Sequence, residues 1–219
     1  MERTITTKYI VSMMAIIIVF CGLFYVIAKR VTSTDIITFD KTIIHFIQSF
    51  ISDDLTIWVE RVTFLGSILF IATAIVIISI LLLWRRKYTL MIFFISANSL
   101  GAILNKLLKW FFKRERPDIL PVIIEKGYSF PSGHSMGSLI FFGSCAYLCI
   151  HIVNSTGKKI FAYTIACLFI LLIGISRIYL GVHYPTDVVG GYSIGIAYSA
   201  ICILAFRLYE FKAKRRAPA

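Results

Sequence analysis

The sequence predicts an all-α polytopic membrane protein with six transmembrane helices and a short amphipathic helical insertion between spans one and two. Three observations carry that expectation. Hydrophobic residues make up 58% of the 219 positions and charged residues 16%, against about 45–50% and about 25% in soluble domains. The mean hydropathy is +0.85. The charges leave six uncharged runs of 17 to 23 residues, each near the ~20 residues a helix needs to cross the hydrocarbon core. Disorder is excluded because disordered chains are poor in apolar residues. A water-soluble domain is excluded because so few charges could not cover so much apolar surface.

The six runs are Tyr9–Ala28, Val62–Trp84, Tyr88–Asn105, Ser135–Val153, Ile160–Ser176 and Val188–Phe206. In lipid every backbone N–H and C=O must be satisfied within the segment, so each run is read as a helix. The first is too long for a signal-peptide core and has no small-residue cleavage site, so it reads as a retained span. The insertion is residues 29–61. Within it Ile36, Phe39, Ile43, Ile47 and Phe50 recur at helical spacing after Ser33, Thr34 and Asp35, which offer an N-cap. A second short helix is expected to start near Ser52, Asp53 and Asp54 and to carry Leu55, Ile57 and Trp58. The two helices either lie on the membrane surface or pack against the bundle. With no internal repeat, residues 1–219 read as a single domain. Cys21, Cys145, Cys149, Cys167 and Cys202 all fall in apolar stretches without Cys-x-x-Cys spacing. They are read as core packing rather than as disulfides or metal ligands.

An even number of spans puts both termini on one face. That face would carry 12 cations, among them Arg3, Arg85, Arg86, Lys87, Lys212, Lys214, Arg215 and Arg216, against two acids, Glu2 and Glu210. The opposite face would carry 10 cations and nine acids. The dense cationic loop and tail place the termini in the cytoplasm. The net charge of +12 is therefore read as an orientation signal that engages anionic membrane lipids, not as a nucleic-acid surface.

Three segments break the rule that polar residues avoid membrane spans: Lys109 to Pro117, Pro131 to His134, and Ser176 to Asp187. The first two share the loop between spans three and four. The third lies between spans five and six. Two spans separate those loops, so all three segments fall on the same membrane face. Ionisable residues at such positions are functional suspects. Lys109, Arg116 and Arg177 supply three cations, and guanidinium forks match phosphate oxygens. Ser132 and Gly133 stand at the expected N-terminus of span four, a ready anion site. Pro185 suits the first turn of span six. Asp187 then lies one turn along, where its carboxylate reaches back to a ring nitrogen of His183 and leaves the other free to attack. His134 is placed to protonate a leaving oxygen. Each residue also has a structural reading. Lys109 can snorkel, Arg116 and Arg177 can anchor at the interface, and Ser132 and Asp187 can cap helices. His45 and His151 are given no role, and Lys113, Arg114, Glu115 and Asp118 are read as a solvated rim.

The pattern resembles the three signature motifs of the type 2 phosphatidic acid phosphatase (PAP2) superfamily. They are Lys-x6-Arg-Pro, Pro-Ser-Gly-His and Ser-Arg-x5-His-x3-Asp, and all 11 specified positions match in order. Within it the chain most resembles bacterial membrane phosphatases of the phosphatidylglycerophosphatase B type. The resemblance implies a phosphohistidine on His183, with His134 as general acid, and no metal or other cofactor. With the termini cytoplasmic the motif face is extracytoplasmic, so the expectation is a bacterial plasma-membrane enzyme acting there on a lipid phosphomonoester or pyrophosphate. Phosphatidylglycerophosphate, undecaprenyl diphosphate and phosphatidic acid all qualify. A lipid phosphotransferase would use the same site, and the superfamily's vanadium haloperoxidases hold vanadate there but are soluble. A transporter is the alternative of a different class. It is disfavoured because the charges gather at one face and the chain lacks the internal halves many transporters carry.

Overall fold

The computed structural model describes residues 6–216. Glu2 and Arg3, the two ends of the 1–219 domain, and the side chains of Lys214 and Arg216 lie outside the described residues. Among the described residues there are eight α-helices and no strand. They are α1 Thr7–Arg30, α2 Thr34–Gln48, α3 Asp53–Phe64, α4 Ile68–Trp84, α5 Tyr88–Phe112, α6 Gly133–Ile152, α7 Thr156–Tyr179 and α8 Pro185–Arg216. Five of them, α1, α5, α6, α7 and α8, are long and apolar enough to cross a membrane, and α3 with α4 makes a sixth if that bent pair is counted as one span.

Most helices outrun the uncharged stretches. Helix α5 continues to Phe112, carrying Lys106 and Lys109 on its last turns. A charge near a helix end does not stop the helix, because its long aliphatic stem lies along the apolar surface. The run Val62–Trp84 is the exception: it is not one helix. The chain bends by 44° between α3 and α4, and Ser67 caps α4 by accepting from Phe70 N at 3.2 Å. The break coincides with a close approach. A Cβ on Gly66 would lie 2.6 Å from Ile173 Cγ2 and 3.1 Å from His134 Cδ2.

Helices α5 to α8 form the bundle. Helix α6 packs on α5, α7 and α8, α1 lies along α8, α4 along α5, and α3 along α7. One apolar core joins Leu82, Phe93, Phe94, Phe141, Tyr147 and Phe206. At the other end of the bundle Phe130 stacks on Phe24 at 5.5 Å and meets Phe112 edge-on at 5.1 Å. This pins the chain that leads into α6. Small residues on α8 admit that chain, since a Cβ on Gly190 would strike the Phe130 ring at 2.5 Å and one on Gly191 would meet Ser132 O at 2.8 Å.

Helix α2 packs against α7 and α8, and its face differs from the apolar stripe read in the sequence. Ile44, Asp40 and Gln48 are buried, while Phe39, Phe46 and Phe50 point outward. Gln48 Nε2 donates to Leu120 O at 3.1 Å. Two polar residues thus face the bundle because the bundle end offers them partners, and the aromatic residues are left for the surroundings. Helix α3 is capped by Ser52, whose hydroxyl accepts from Leu55 N at 3.4 Å. Asp53 and Asp54 lie in its first turn, where acids suit the helix dipole. The cysteines are unpaired, and Cys21 and Cys167 sit on the helix exterior rather than in the core.

Candidate functional site

The three polar segments meet at one end of the bundle, where α5 and α7 finish and α6 and α8 begin. Helix α5 is closed by Lys113 in the left-handed region (φ 49°), whose N–H reaches Lys109 O at 3.0 Å. That turn folds the following chain back over the bundle. After α7 the chain reverses at Gly181 (φ +71°), where a Cβ would lie 2.9 Å from Gln48 Nε2. Ser132 N donates to Asp187 O at 3.0 Å, which joins the start of α6 to the start of α8.

Asp187 lies at the first turn of α8 and is fully buried. Its Oδ2 accepts from Tyr184 N at 2.9 Å and stands 3.3 Å from His183 Nδ1. The other ring nitrogen of His183, Nε2, is 3.4 Å from Arg116 Nη1. Arg116 also donates from Nη1 to Val182 O at 2.8 Å and from Nε to Gly127 O at 3.0 Å. Arg177, only 1% exposed, donates from Nη1 to Thr63 Oγ1 at 2.8 Å. Its Nε is buried with no hydrogen-bond partner among the described residues. Lys109 Nζ donates to Tyr128 O at 2.5 Å and Ser129 O at 3.1 Å. Gly133 stands beside Asn105, whose Oδ1 would lie 3.1 Å from a Cβ placed there, with Lys109 Cε in ordinary contact at 3.7 Å. Ser132 is buried and caps α6, accepting from Ser135 N at 3.4 Å. His134 sits on the first turn of α6, within electrostatic reach of Arg177, Glu125, Lys109 and Arg116. All eight residues singled out in the sequence therefore belong to one neighbourhood.

The electrostatics are those of an anion site. Burial, together with the cations Lys109, Arg177 and Arg116, pushes the His183 imidazole well below its usual range, so it is neutral near pH 7. Burial raises the Glu125 carboxyl, and Arg177 and Arg116 more than offset this, leaving it below the usual carboxylate range and ionised. Glu125 bridges the two arginines: Oε1 accepts from Arg177 Nη2, and Oε2 lies 3.1 Å from Arg116 Nη1. Two oxygens of one anionic group thus occupy the space between two guanidiniums. Among the described residues no three His, Cys, Asp or Glu side chains converge as metal ligands would.

Residues 87–210 match the model of the PAP2 superfamily. The chain is 39% identical over 136 residues to phosphatidylglycerophosphatase B of Bacillus subtilis (strain 168), covering 62% of this chain and 67% of that protein. Its fold matches the crystal structure of a transmembrane PAP2 type phosphatidylglycerolphosphate phosphatase from Bacillus subtilis. The TM-score is 0.83 at 30% identity, covering 92% of this chain and 98% of that one. LpxE of Aquifex aeolicus superimposes with a TM-score of 0.60 at 27% identity, over 74% of this chain and 93% of that one. The chain belongs to the PAP2 superfamily. It is a phosphatase that hydrolyses phosphate esters, and an integral membrane protein.

Three residues of this PAP2 site escaped the sequence reading. Arg114 is not part of a solvated rim. It is 5% exposed and bonds Asp187 Oδ1 at 2.6 Å and Asp40 Oδ2 at 2.9 Å, while Lys113, Glu115 and Asp118 are exposed as a rim would be. Asp40 lies on α2, before the matched region, and its chain position alone gives no hint of burial. Glu125 sits in an irregular loop that no periodicity describes. The one available signal was that Arg114 and Glu125 share a single short interhelical segment with both phosphate-type motifs. His45 is exposed, and His151 packs on Tyr147 at 4.9 Å, far from this end.

If the guanidiniums of Arg116 and Arg177 receive phosphate, Glu125 competes with it for them. Glu125→Gln is expected to lower the inhibition constant of orthophosphate about tenfold, the effect of ~1.4 kcal/mol of removed competition. Steady-state inhibition of phosphomonoester hydrolysis measures it. An unchanged or higher constant would mean the carboxylate does not occupy the anion position.

Proposed function

We propose that the protein is a lipid phosphatase of the bacterial plasma membrane that works through a phosphohistidine on His183. It removes phosphate from a lipid phosphomonoester or pyrophosphate, phosphatidylglycerophosphate foremost, given the similarity to phosphatidylglycerophosphatase B. The observation that carries the mechanism is the pair of neighbours on the His183 ring. An ionised carboxylate only accepts and a guanidinium only donates. Asp187 beside Nδ1 and Arg116 beside Nε2 therefore select the same tautomer, with the proton on Nδ1 and the lone pair on Nε2. Burial and the surrounding cations keep that lone pair unprotonated.

The steps follow from this arrangement. The substrate phosphate displaces Glu125 and takes donors from Lys109, Arg116 and Arg177 and from the α6 N-terminus at Ser132 and Gly133. Its apolar anchor stays in the bilayer. The Nε2 lone pair forms a bond to phosphorus as the P–O bond to the lipid breaks, and His134 gives its proton to the departing oxygen. The dianionic phosphate favours the imidazolium form of His134 that this needs. The ring of His183 is now cationic, and Asp187 stabilises it. Water then attacks phosphorus, His134 takes its proton, the N–P bond breaks and orthophosphate leaves. Positioning and charge stabilisation supply the rate, and no step calls on a metal ion.

Purified protein in detergent with EDTA is expected to release orthophosphate from phosphatidylglycerophosphate with higher kcat/KM than from phosphatidic acid or undecaprenyl diphosphate. With ³²P-labelled substrate and an alkaline quench, the wild type should retain protein-bound label that acid removes, and His183→Ala should show neither label nor turnover. Full activity in His183→Ala would sink the mechanism. Product chromatography that found phosphate on an acceptor lipid would make the enzyme a transferase.

The pH dependence follows from the same ring. Protonating Nε2 removes the nucleophile, so kcat/KM falls as pH drops through the His183 pKa in the free enzyme. That pKa lies well below the ordinary 6.5, so the acid limb is expected below pH 6.5. A limb at or above 6.5 in a pH–rate series would contradict a neutral, buried nucleophile.

The site is proposed to open on the extracytoplasmic side, with the termini in the cytoplasm, on the strength of the Arg85–Lys87 loop and the cationic tail. A membrane-impermeant maleimide applied to intact cells should label Ile124→Cys, while Ala213→Cys should react only after permeabilisation. The opposite pattern would invert the topology.

A further inference from the structure

Beyond the residues proposed to hold phosphate, a cluster of buried charge stands behind His183. Asp187 uses Oδ2 for His183 and Tyr184 N, and its Oδ1 accepts from Arg114 Nη1 at 2.6 Å. Arg114 Nη1 also donates to Thr186 Oγ1 at 2.9 Å, and Nη2 donates to Asp40 Oδ2 at 2.9 Å. Asp40 in turn accepts from Thr186 N at 3.0 Å on Oδ1 and from Thr186 Oγ1 at 2.6 Å on Oδ2. Asp40 and Asp187 are fully buried, Arg114 is 5% exposed, and its guanidinium lies 3.9 Å from the centroid of the Tyr184 ring. None of these side chains except Asp187 lies beside the ring that is to be phosphorylated.

We propose that Asp40 and Arg114 are positioning residues of the hydrolysis, holding Asp187 and through it His183, so that helix α2 is part of the catalytic unit. The inference rests on the phosphohistidine reading above. Arg114 holds Asp187 in place from behind, through the oxygen His183 does not use. Left alone, that guanidinium would neutralise Asp187 and weaken its hold on the Nδ1 proton. Asp40 takes up the other side of Arg114, so two carboxylates share one cation and Asp187 keeps negative potential toward His183. That potential matters most when Nε2 carries phosphorus and the ring is cationic. Thr186 fixes the spacing, with its N–H and hydroxyl on Asp40 and its oxygen on Arg114.

His183 faces charges from every side: Lys109 at the end of α5, Arg116 and Glu125 in the following loop, Arg177 on α7 and Asp187 on α8. Asp40→Asn changes none of these directly. The variant is expected to lose at least tenfold in kcat while KM and the orthophosphate inhibition constant stay within twofold. The acid limb of kcat/KM should move to lower pH, because the imidazolium loses distant negative charge. Arg114→Met is expected to lose kcat as well but to move that limb to higher pH. Opposite displacements are something a merely structural role would not produce.

Thr186→Val keeps the side-chain shape, removes the bridging hydroxyl and guards against an Asp40 variant that does not fold. It should lower kcat at least threefold with orthophosphate inhibition intact. Wild-type kcat in Asp40→Asn or Thr186→Val would overturn the proposal. So would losses accompanied by a matching loss of orthophosphate inhibition, since that pattern reports general unfolding. His183→Ala, assayed in the same series, separates the two readings. If it is fully active the phosphohistidine mechanism fails, whereas if it is inactive beside a normal Asp40→Asn only the positioning role fails.

Discussion

The guanidinium of Arg114 lies between two carboxylates in a place water scarcely reaches, Asp40 at 2.9 Å and Asp187 at 2.6 Å. Each of these charges, buried alone, would cost several kcal/mol, and removing one partner from such a cluster costs about 3–5 kcal/mol. The fold can therefore keep any of the three ionised only by keeping all three together. That condition joins chain positions 40, 114 and 187. It demands the left-handed turn at Lys113 that sends Arg114 back over the bundle. It also holds α2 against the starts and ends of the spans rather than loose beside them.

A second cluster of charge shares a border with the first. Arg116, Arg177 and Lys109 gather where α5 and α7 finish and α6 and α8 begin, facing the positive ends of two helix dipoles. Without an anion these cations would repel one another and the helix ends alike. Glu125 supplies the anion, accepting from both arginines. The cation cluster is thus foldable because it carries an anion of its own. His183 lies at the seam, with Asp187 of the first cluster on one nitrogen and Arg116 of the second on the other. The polarity across that ring, negative behind and positive ahead, arises from two separate solutions to the problem of burying charge.

The parts of this arrangement that were legible in the sequence are those governed by short spacing. Helical periodicity and apolar run length marked the spans, and Pro185 with Asp187 two residues on marked the start of α8. The order of the polar segments placed them on one face. The break at Gly66 was not legible, because the run around it stays uncharged and the reason for bending lies in His134 and Ile173, 68 and 107 residues on. The inward face of α2 was misjudged for a related reason. Amphipathic reasoning assigns apolar residues inward, and it holds only where the surface beneath is apolar. Here the surface beneath offers Arg114 and the first turn of α8 to Asp40 and backbone carbonyls to Gln48, so both turn in while Phe39, Phe46 and Phe50 turn out. Arg114 was misread on the same logic, since a basic residue in a loop is usually solvated.

Treating residues 29–61 as an insertion follows from hydropathy, which registers them only as what lies between two spans. Physical connectivity gives a different partition. Asp40 on α2 bonds the first turn of α8 through Thr186 N, Gln48 reaches the loop after α5 at Leu120, and Thr63 on α3 receives Arg177 of α7. The loop after α5 and helices α7 and α8, which present Arg116, Arg177 and Asp187 toward His183, are thereby braced by α2 or α3. The bundle alone would leave Arg114 with one carboxylate too few and Arg177 with one acceptor too few. The two short helices therefore belong with the ends of the spans as one polar layer over an apolar bundle, which is how a protein whose bulk is dissolved in lipid can keep ionised side chains at fixed distances.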